Sequence, residues 1–346
     1  KIIIGVILIV CISSIFSACD KNNEIETVVK EDKITIGFAM DTLKEERWQR
    51  DRDIFVAESE KLGAEVLVLA ANGDDNKQIE QVKYLLSKGV DILVVVPHDG
   101  VIVEEIVELA HKNGVKVIAY DRILQGNVDY YISFDNEKVG EIQAKYIIEN
   151  LKITKGNIVY IGGASTDNNA LLFRDGVMKV LDNYDDINVI YNEFTNDWSP
   201  SVARKHVEFV LDSSEEVIDV IICANDALAG AISVLLAERQ IDLILMGQDA
   251  EISACQRIVE GNQTMTVYKD VRLLAKQAAE IAVDIVNGKE INTVRIVENK
   301  TRNIKSILLE PTLVDVNNMV EVIIKSSFHK YEDVYRNVLL KDRPDN

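Results

Sequence analysis

A set of polar side chains stands immediately beyond short apolar runs. Asp121-Arg122 follows Val117-Ile118-Ala119, Asn225 follows Ile221-Ile222-Cys223, and Asp249 comes soon after Leu243-Ile244-Leu245-Met246. Asp41, Arg47, Asn169, Arg174 and Lys269 occupy the same kind of position. Carboxylates, amides and guanidinium groups present paired acceptors or donors in fixed forks, which match the adjacent hydroxyls of a sugar. The chain's two tryptophans, Trp48 and Trp198, lie among charged and polar residues, in Glu45-Glu46-Arg47-Trp48-Gln49-Arg50 and Asn196-Asp197-Trp198-Ser199-Pro200. An indole face covers the C–H face of a pyranose, so the set predicts a carbohydrate site in which both rings take part. Each residue taken singly has a plainer reading. An isolated Trp is as readily a packing residue, and Asp226, Asp135 or Asn136 would serve as helix caps. Capping does not call for Arg or Lys, so the group as a whole points to a ligand.

Other chemistries find little support. Gly162-Gly163 has neither a GxGxxG continuation nor a Walker lysine, which argues against nucleotide binding. His98, His111, His206 and His329 have no partners at metal-ligand spacing, so no metal or cofactor is expected. Gly163-Ala164-Ser165 does not form a nucleophile elbow. A glycosidase would place two carboxylates on either side of one bond. Asp121 and Asp249 instead come with Arg, Asn and Lys, a pattern suited to neutralised hydrogen bonding, and no apolar pocket is evident to raise a pKa.

These residues need elements to hold them. Strand-like runs at 34–39, 65–70, 92–96 and 115–119 alternate with helical stretches at 48–62, 77–88 and 101–113. Ile92-Leu93-Val94-Val95-Val96 is apolar at every position, as a strand buried on both faces of a parallel sheet must be. Gly63, Gly89 and Gly114 fall where helices should stop. The same grammar restarts after the run 130–134, with strands at 158–161, 188–191, 217–223 and 243–246. A strand at 264–268, a helix at 273–286 and a strand-like run at 306–309 complete it. The pattern predicts an α/β fold of two doubly wound parallel-sheet lobes between which the chain crosses more than once. In such sheets the ligand crevice lies beyond the carboxyl ends of the strands, where the polar set falls.

With 346 residues, 47% hydrophobic content and 27% charged, the chain can bury a core in each of two lobes. Its net charge of -19 argues against nucleic acid as a partner. At the N-terminus an apolar segment, 2–16, precedes Ser17-Ala18-Cys19-Asp20. Small residues before a cysteine, at the end of a stretch too short to span a bilayer comfortably, resemble the lipobox of bacterial lipoproteins. That reading takes 1–19 as signal peptide and lipobox, Cys19 as the lipidated residue, and polar 20–32 as a tether to the outer face of the cell membrane. An uncleaved anchor or an ordinary signal peptide would not account for Cys19. Cys223 and Cys255 remain in the folded body, and a bond between them is left open.

The segments Glu46-Arg47-Trp48-Gln49, Ala119-Tyr120-Asp121-Arg122, Asp167-Asn168-Asn169-Ala170, Asn225-Asp226-Ala227, Gly247-Gln248-Asp249-Ala250 and Thr266-Val267-Tyr268-Lys269 resemble those of the periplasmic sugar-binding proteins of bacterial importers. The resemblance runs from about 33 to 330, and the Glu-Arg-Trp and Asp-Asn-Asn-Ala segments favour the D-xylose branch of that family. It implies the type I periplasmic binding protein fold, two lobes joined by three crossovers. The first lobe would comprise 33–134 and 269–304, the second 135–268 and 305–330, with 331–346 a tail beyond the family pattern. It further implies that Trp48 and Trp198 pack on the sugar ring, and that Arg47, Asp121, Arg122, Asn169, Arg174, Asn225, Asp249 and Lys269 bond its hydroxyls and ring oxygen, with Asp41 a further candidate. The implied ligand is D-xylose or a related pentose. The implied partner is a membrane ABC permease or, in a minority of the family, a sensor histidine kinase. A sugar-responsive repressor uses the same two lobes but needs a basic helix-turn-helix ahead of the first strand. A glycoside-acting enzyme is the remote alternative.

Overall fold

The computed structural model describes residues 33–293 and 295–345. The apolar segment, Cys19 and the tether expected from the sequence lie outside the described residues.

Two sheets form the centres of two lobes. The first contains β1 (Thr35–Met40), β2 (Glu65–Ala70), β3 (Ile92–Val95), β4 (Lys116–Tyr120) and β5 (Tyr130–Phe134). The second contains β6 (Gly156–Gly162), β7 (Ile187–Phe194), β8 (Val220–Cys223), β9 (Ile244–Met246) and β10 (Met265–Tyr268). Late in the chain β11 (Arg295–Glu298) and β12 (Asn303–Leu309) join the first sheet, and β13 (Thr312–Asp315) joins the second. The orders are β2-β1-β3-β4-β5-β12-β11 and β7-β6-β8-β9-β10-β13. Among the described residues, only β11 with β12 and β13 with β10 pair antiparallel. Strand order therefore reverses between β1 and β3, and again between β6 and β8, which places a topological switch point in each lobe.

Burial on both faces explains the unbroken apolar runs. In the first sheet Ile36, Phe38, Ile92, Val94, Ile118 and Tyr120 belong to one core, while the alternating Ala39, Leu93, Val95, Val117 and Ala119 belong to the core on the opposite face. Helices α1 (Glu46–Lys61) and α9 (Val271–Val286) cover the first of these faces, and α2 (Asp75–Ser87) and α3 (Glu105–Lys112) cover the second. The second lobe carries α4 (Asn136–Lys145), α5 (Asn168–Leu181), α6 (Pro200–Ser213), α7 (Asp226–Arg239) and α8 (Ile252–Glu260). Each fully buried Leu, Ile, Val or Phe in these cores contributes roughly 1.5–3 kcal/mol. Several helices begin on a polar cap: Asp135 accepts from the Lys138 amide, Asp167 from Asn169 and Asn225 from Leu228.

The chain crosses between lobes after β5, after β10 and after β12. The third crossing corrects an expectation. The run 306–309 does not enter the second lobe: Ile307 pairs with Ile132 and Leu309 with Phe134 in the first sheet, and the change of lobe falls at Glu310-Pro311. An apolar run has no address of its own, and the open edge of β5 is the one it reaches. The tail is also more than an appendage, because α10 (Tyr331–Val334) and the adjacent Tyr335 pack with Cys255, Ile258, Tyr268 and Phe328 in a core beside α8. Cys223 and Cys255 are buried free thiols, so no disulfide joins them. Among the described residues, no helix is long and apolar enough to cross a membrane.

Candidate functional site

The carboxyl ends of the strands from both lobes converge on one cavity of about 350 Å³, lined by Arg47, Trp48, Asp121, Arg122, Asn169, Trp198, Asn225, Asp249 and Lys269 together with Glu45, Asp167, Phe173 and Gln248. The first turn of α1 supplies Arg47 and Trp48, and the turn after β4 supplies Asp121 and Arg122. The start of α5 supplies Asn169, and the loops after β7, β8, β9 and β10 supply Trp198, Asn225, Asp249 and Lys269.

Arg47 is the hub. Its Nη2 lies 2.6 Å from Asp121 Oδ2, its Nε 3.4 Å from Asp51, and its Nη1 3.9 Å from Asp249 in the other lobe. Burial works against the guanidinium charge, but the carboxylates of Asp121, Asp51 and Asp249 outweigh it, and its pKa lies above the ordinary arginine value. Burial likewise pushes the Asp121 carboxyl up, yet Arg47, Lys269 and Arg122 together hold it below the usual carboxylate range. Asp51 lies one helical turn beyond Arg47, wholly buried and hydrogen-bonded by the Tyr120 hydroxyl, and burial raises it to about 6 against the attraction of Arg47. Arg122 is shared: Nη1 donates to Asp41 at 2.7 Å and Nε lies 2.7 Å from Asp167 of the second lobe. Lys269, 2% exposed, faces Asp249 at 3.0 Å and sits 5.3 Å from the Phe173 ring centre. Arg47, Arg122 and Lys269 are thus each paired with a carboxylate before any ligand is considered, which suits a neutral polyol rather than an anion.

The backbone is unusual at the same places. Asp121 has φ +62°, Asp249 +102° and Ala250 +52°, while Asp197 and Trp198 are consecutive left-handed residues at +50° and +54°. None is glycine, and each such residue costs on the order of 1–3 kcal/mol. The tight turn lays the Trp198 ring against Gly163, and a β-carbon at that position would overlap the indole. Phe173 meets the same ring edge-on at 6.4 Å. The Trp48 ring carries the guanidinium carbon of Arg47 at 4.2 Å and that of Arg122 at 5.2 Å.

Several polar atoms lining the cavity are buried without a partner among the described residues: Asn169 Oδ1, Gln248 Oε1 and Glu45 Oε2 as acceptors, and Trp198 Nε1 as a donor. Asn169 spends its Nδ2 on Asp121 at 3.0 Å, and Asn225 spends its Oδ1 on the α7 cap, leaving its amide nitrogen for the cavity.

Two expected residues are not brought to the cavity. Arg174 is part-exposed, pairs with Asp175 at 3.0 Å and lies over Phe194. On α5, Asn169 and Phe173 share a face four residues apart, and one residue further the helix has turned about 100° away. Asp41 accepts from Arg122 and from the Gly73 amide at 3.2 Å, and lines a neighbouring hollow of about 650 Å³ with His98 and Asp197. Sequence reasoning missed Glu45, Asp51, Asp167, Phe173 and Gln248. The signals for Asp51 and Phe173 were helical spacing, four residues from Arg47 and from Asn169.

Residues 36–290 match the periplasmic binding protein domain family. A D-xylose-binding periplasmic protein of Escherichia coli K12 is 43% identical over 308 residues, 87% of this chain and 93% of the relative. A multiple sugar-binding periplasmic receptor of Rhizobium radiobacter is 32% identical over 330 residues, 88% of this chain and 93% of the relative. The crystal structure of an ABC transporter solute binding protein from Clostridium phytofermentans with bound β-D-glucose is similar with a TM-score of 0.81 at 29% identity, covering 87% of this chain and 99% of that one.

Proposed function

Because the chain belongs to the periplasmic binding protein family, among its two-lobed sugar-binding members, we propose that it is a lipid-anchored extracytoplasmic receptor that closes around one molecule of D-xylose and delivers it to an ABC importer. The family is non-enzymatic: a solute is held and released, and no bond is broken.

The observation that carries the sugar reading is the set of unpaired atoms. Asn169 Oδ1, Gln248 Oε1 and Glu45 Oε2 require donors, and Trp198 Nε1 requires an acceptor, within a cavity where Arg47 and Lys269 are already paired with Asp121 and Asp249. A pyranose supplies hydroxyls that do both, and its C–H faces suit the indole of Trp198. The names of the 42–43% identical relatives favour D-xylose. Closure follows from which contacts cross between lobes. Arg122 reaches Asp167, Asn169 reaches Asp121, and Arg47 approaches Asp249, so a ligand seated among them adds bonds only when both lobes are in place and shifts the population toward the closed form. Lipidation at Cys19 and delivery to a permease rest on the lipobox-like segment and on the transporter relative.

Titration calorimetry of the mature chain with D-xylose, L-arabinose, D-ribose and D-glucose tests the ligand. D-xylose should bind tightest, and no heat with D-xylose while another sugar gives a full isotherm would sink the assignment. A permease and ATPase gene pair beside this gene supports import, whereas a sensor histidine kinase there assigns the same receptor to signalling.

A further inference from the structure

Helix α1 reaches the second lobe at two places one turn apart. Arg47 does so through the sugar cavity, and Arg50 does so behind it. Arg50 Nη1 donates to the Phe328 carbonyl at 3.1 Å, its guanidinium carbon lies 4.5 Å from the Phe328 ring centre, and its Nη2 is 3.2 Å from His329 Nδ1. The other ring nitrogen of His329, Nε2, is 2.8 Å from the carbonyl oxygen of Ala250. These partners fix the tautomer. Guanidinium can only donate and a carbonyl can only accept, so Nδ1 carries the lone pair and Nε2 carries the hydrogen.

Ala250 follows Asp249, and both have positive φ, so this turn needs outside support to keep the Asp249 carboxylate beside Lys269 and Arg47. The Asp249 amide donates to Val267 O at 2.8 Å and the Ala250 amide to Thr266 Oγ1 at 3.2 Å. The Ala250 carbonyl is held by His329 and, more weakly, by the Cys255 thiol at 3.6 Å. The imidazole is 7% exposed, and burial, partly opposed by its bond to Ala250 and reinforced by Arg50, lowers it to about 4, so the single hydrogen stays on Nε2 at neutral pH.

We propose that His329 is a positioning residue for the sugar site, joining the helix that carries Arg47 and Trp48 to the turn that carries Asp249. The inference rests on the sugar-binding reading for its effect on affinity, but its effect on the turn can be read without any sugar.

The test compares His329→Phe, which keeps the volume and loses both bonds, with His329→Gln, whose amide can accept from Arg50 and donate to Ala250. Two readouts apply: D-xylose affinity by calorimetry, and hydrogen exchange of the amides of 249–251 in the unliganded protein. His329→Phe should weaken binding about tenfold and speed exchange at 249–251, while His329→Gln should stay within about threefold of the parent and keep that protection. Parental affinity and exchange in His329→Phe overturn the proposal, and so does a His329→Gln variant as impaired as His329→Phe. If His329→Phe does not fold, Arg50→Met takes its place with a weakening of about threefold expected, and unchanged affinity and exchange again overturn it. If the parent binds none of the sugars, the functional reading fails, while the exchange comparison still decides the role of His329.

Discussion

The Trp198 indole lies against Gly163 so closely that the two positions act as one: the ring occupies the space a side chain at 163 would need. Gly163→Ala should therefore displace Trp198 from the cavity wall. D-xylose affinity should fall about tenfold or more while the circular dichroism spectrum is unchanged. Calorimetry with parental affinity in this variant would remove Trp198 from the site.

Two tryptophans in different lobes also allow each wall to be watched separately. In Trp48→Phe the only remaining indole is Trp198, and saturating D-xylose should still shift or quench its emission. A variant that binds sugar by calorimetry yet shows no emission change would place Trp198 away from the ligand.

Asp121→Asn should raise the dissociation constant about a hundredfold and cost about 1–3 kcal/mol of stability, because Arg47 loses its 2.6 Å partner while remaining buried. Its folded-state pKa is depressed, so the stability it contributes is present above the ordinary Asp value and is lost as pH falls through the folded value. Urea unfolding from pH 6 to pH 3 should accordingly show a shallower acid loss in the variant than in the parent.

Glu251 carries the opposite sign. Burial first, then Asp226, Asp249 and Glu46, raise it to about 8, so the native state holds its proton more tightly than the unfolded chain between the ordinary Glu value and pH 8. Stability from this group falls as pH rises through that window. Glu251→Gln should match the parent near pH 4 and exceed it by about 1–2 kcal/mol at pH 8.5, with the solvent-screened side of the carboxylate keeping the gain small. Identical unfolding midpoints at pH 8.5 would contradict the burial of this carboxyl.

Much of the architecture is legible because its determinants are local. Runs such as Ile92-Leu93-Val94-Val95 announce a strand covered on both faces, and residues just past such strands must face the crevice, so Asp121, Asn225, Asp249 and Lys269 could be placed without coordinates. What stays hidden depends on partners distant in sequence. Nothing in Ile307-Leu308-Leu309 indicates that β5 rather than the second sheet is the edge it joins. Arg174 looks equivalent to Arg47, yet its helix phase turns it to Asp175, and Asp41 serves Arg122 from behind. Asp51 and Asp167 are written as ordinary acidic residues, and only the meeting of elements makes them the counter-charges of Arg47 and Arg122.

The late return of the chain to both sheets also governs how the molecule can be made. β5 waits for β12 to cover its edge, and β10 waits for β13, so neither lobe is a contiguous stretch that can be expressed alone. During synthesis both sheets keep an unpaired edge until the last portion of the sequence has emerged. A premature stop before Leu309 would leave two incomplete sheets with exposed strand edges, a product inclined to aggregate rather than a smaller working receptor.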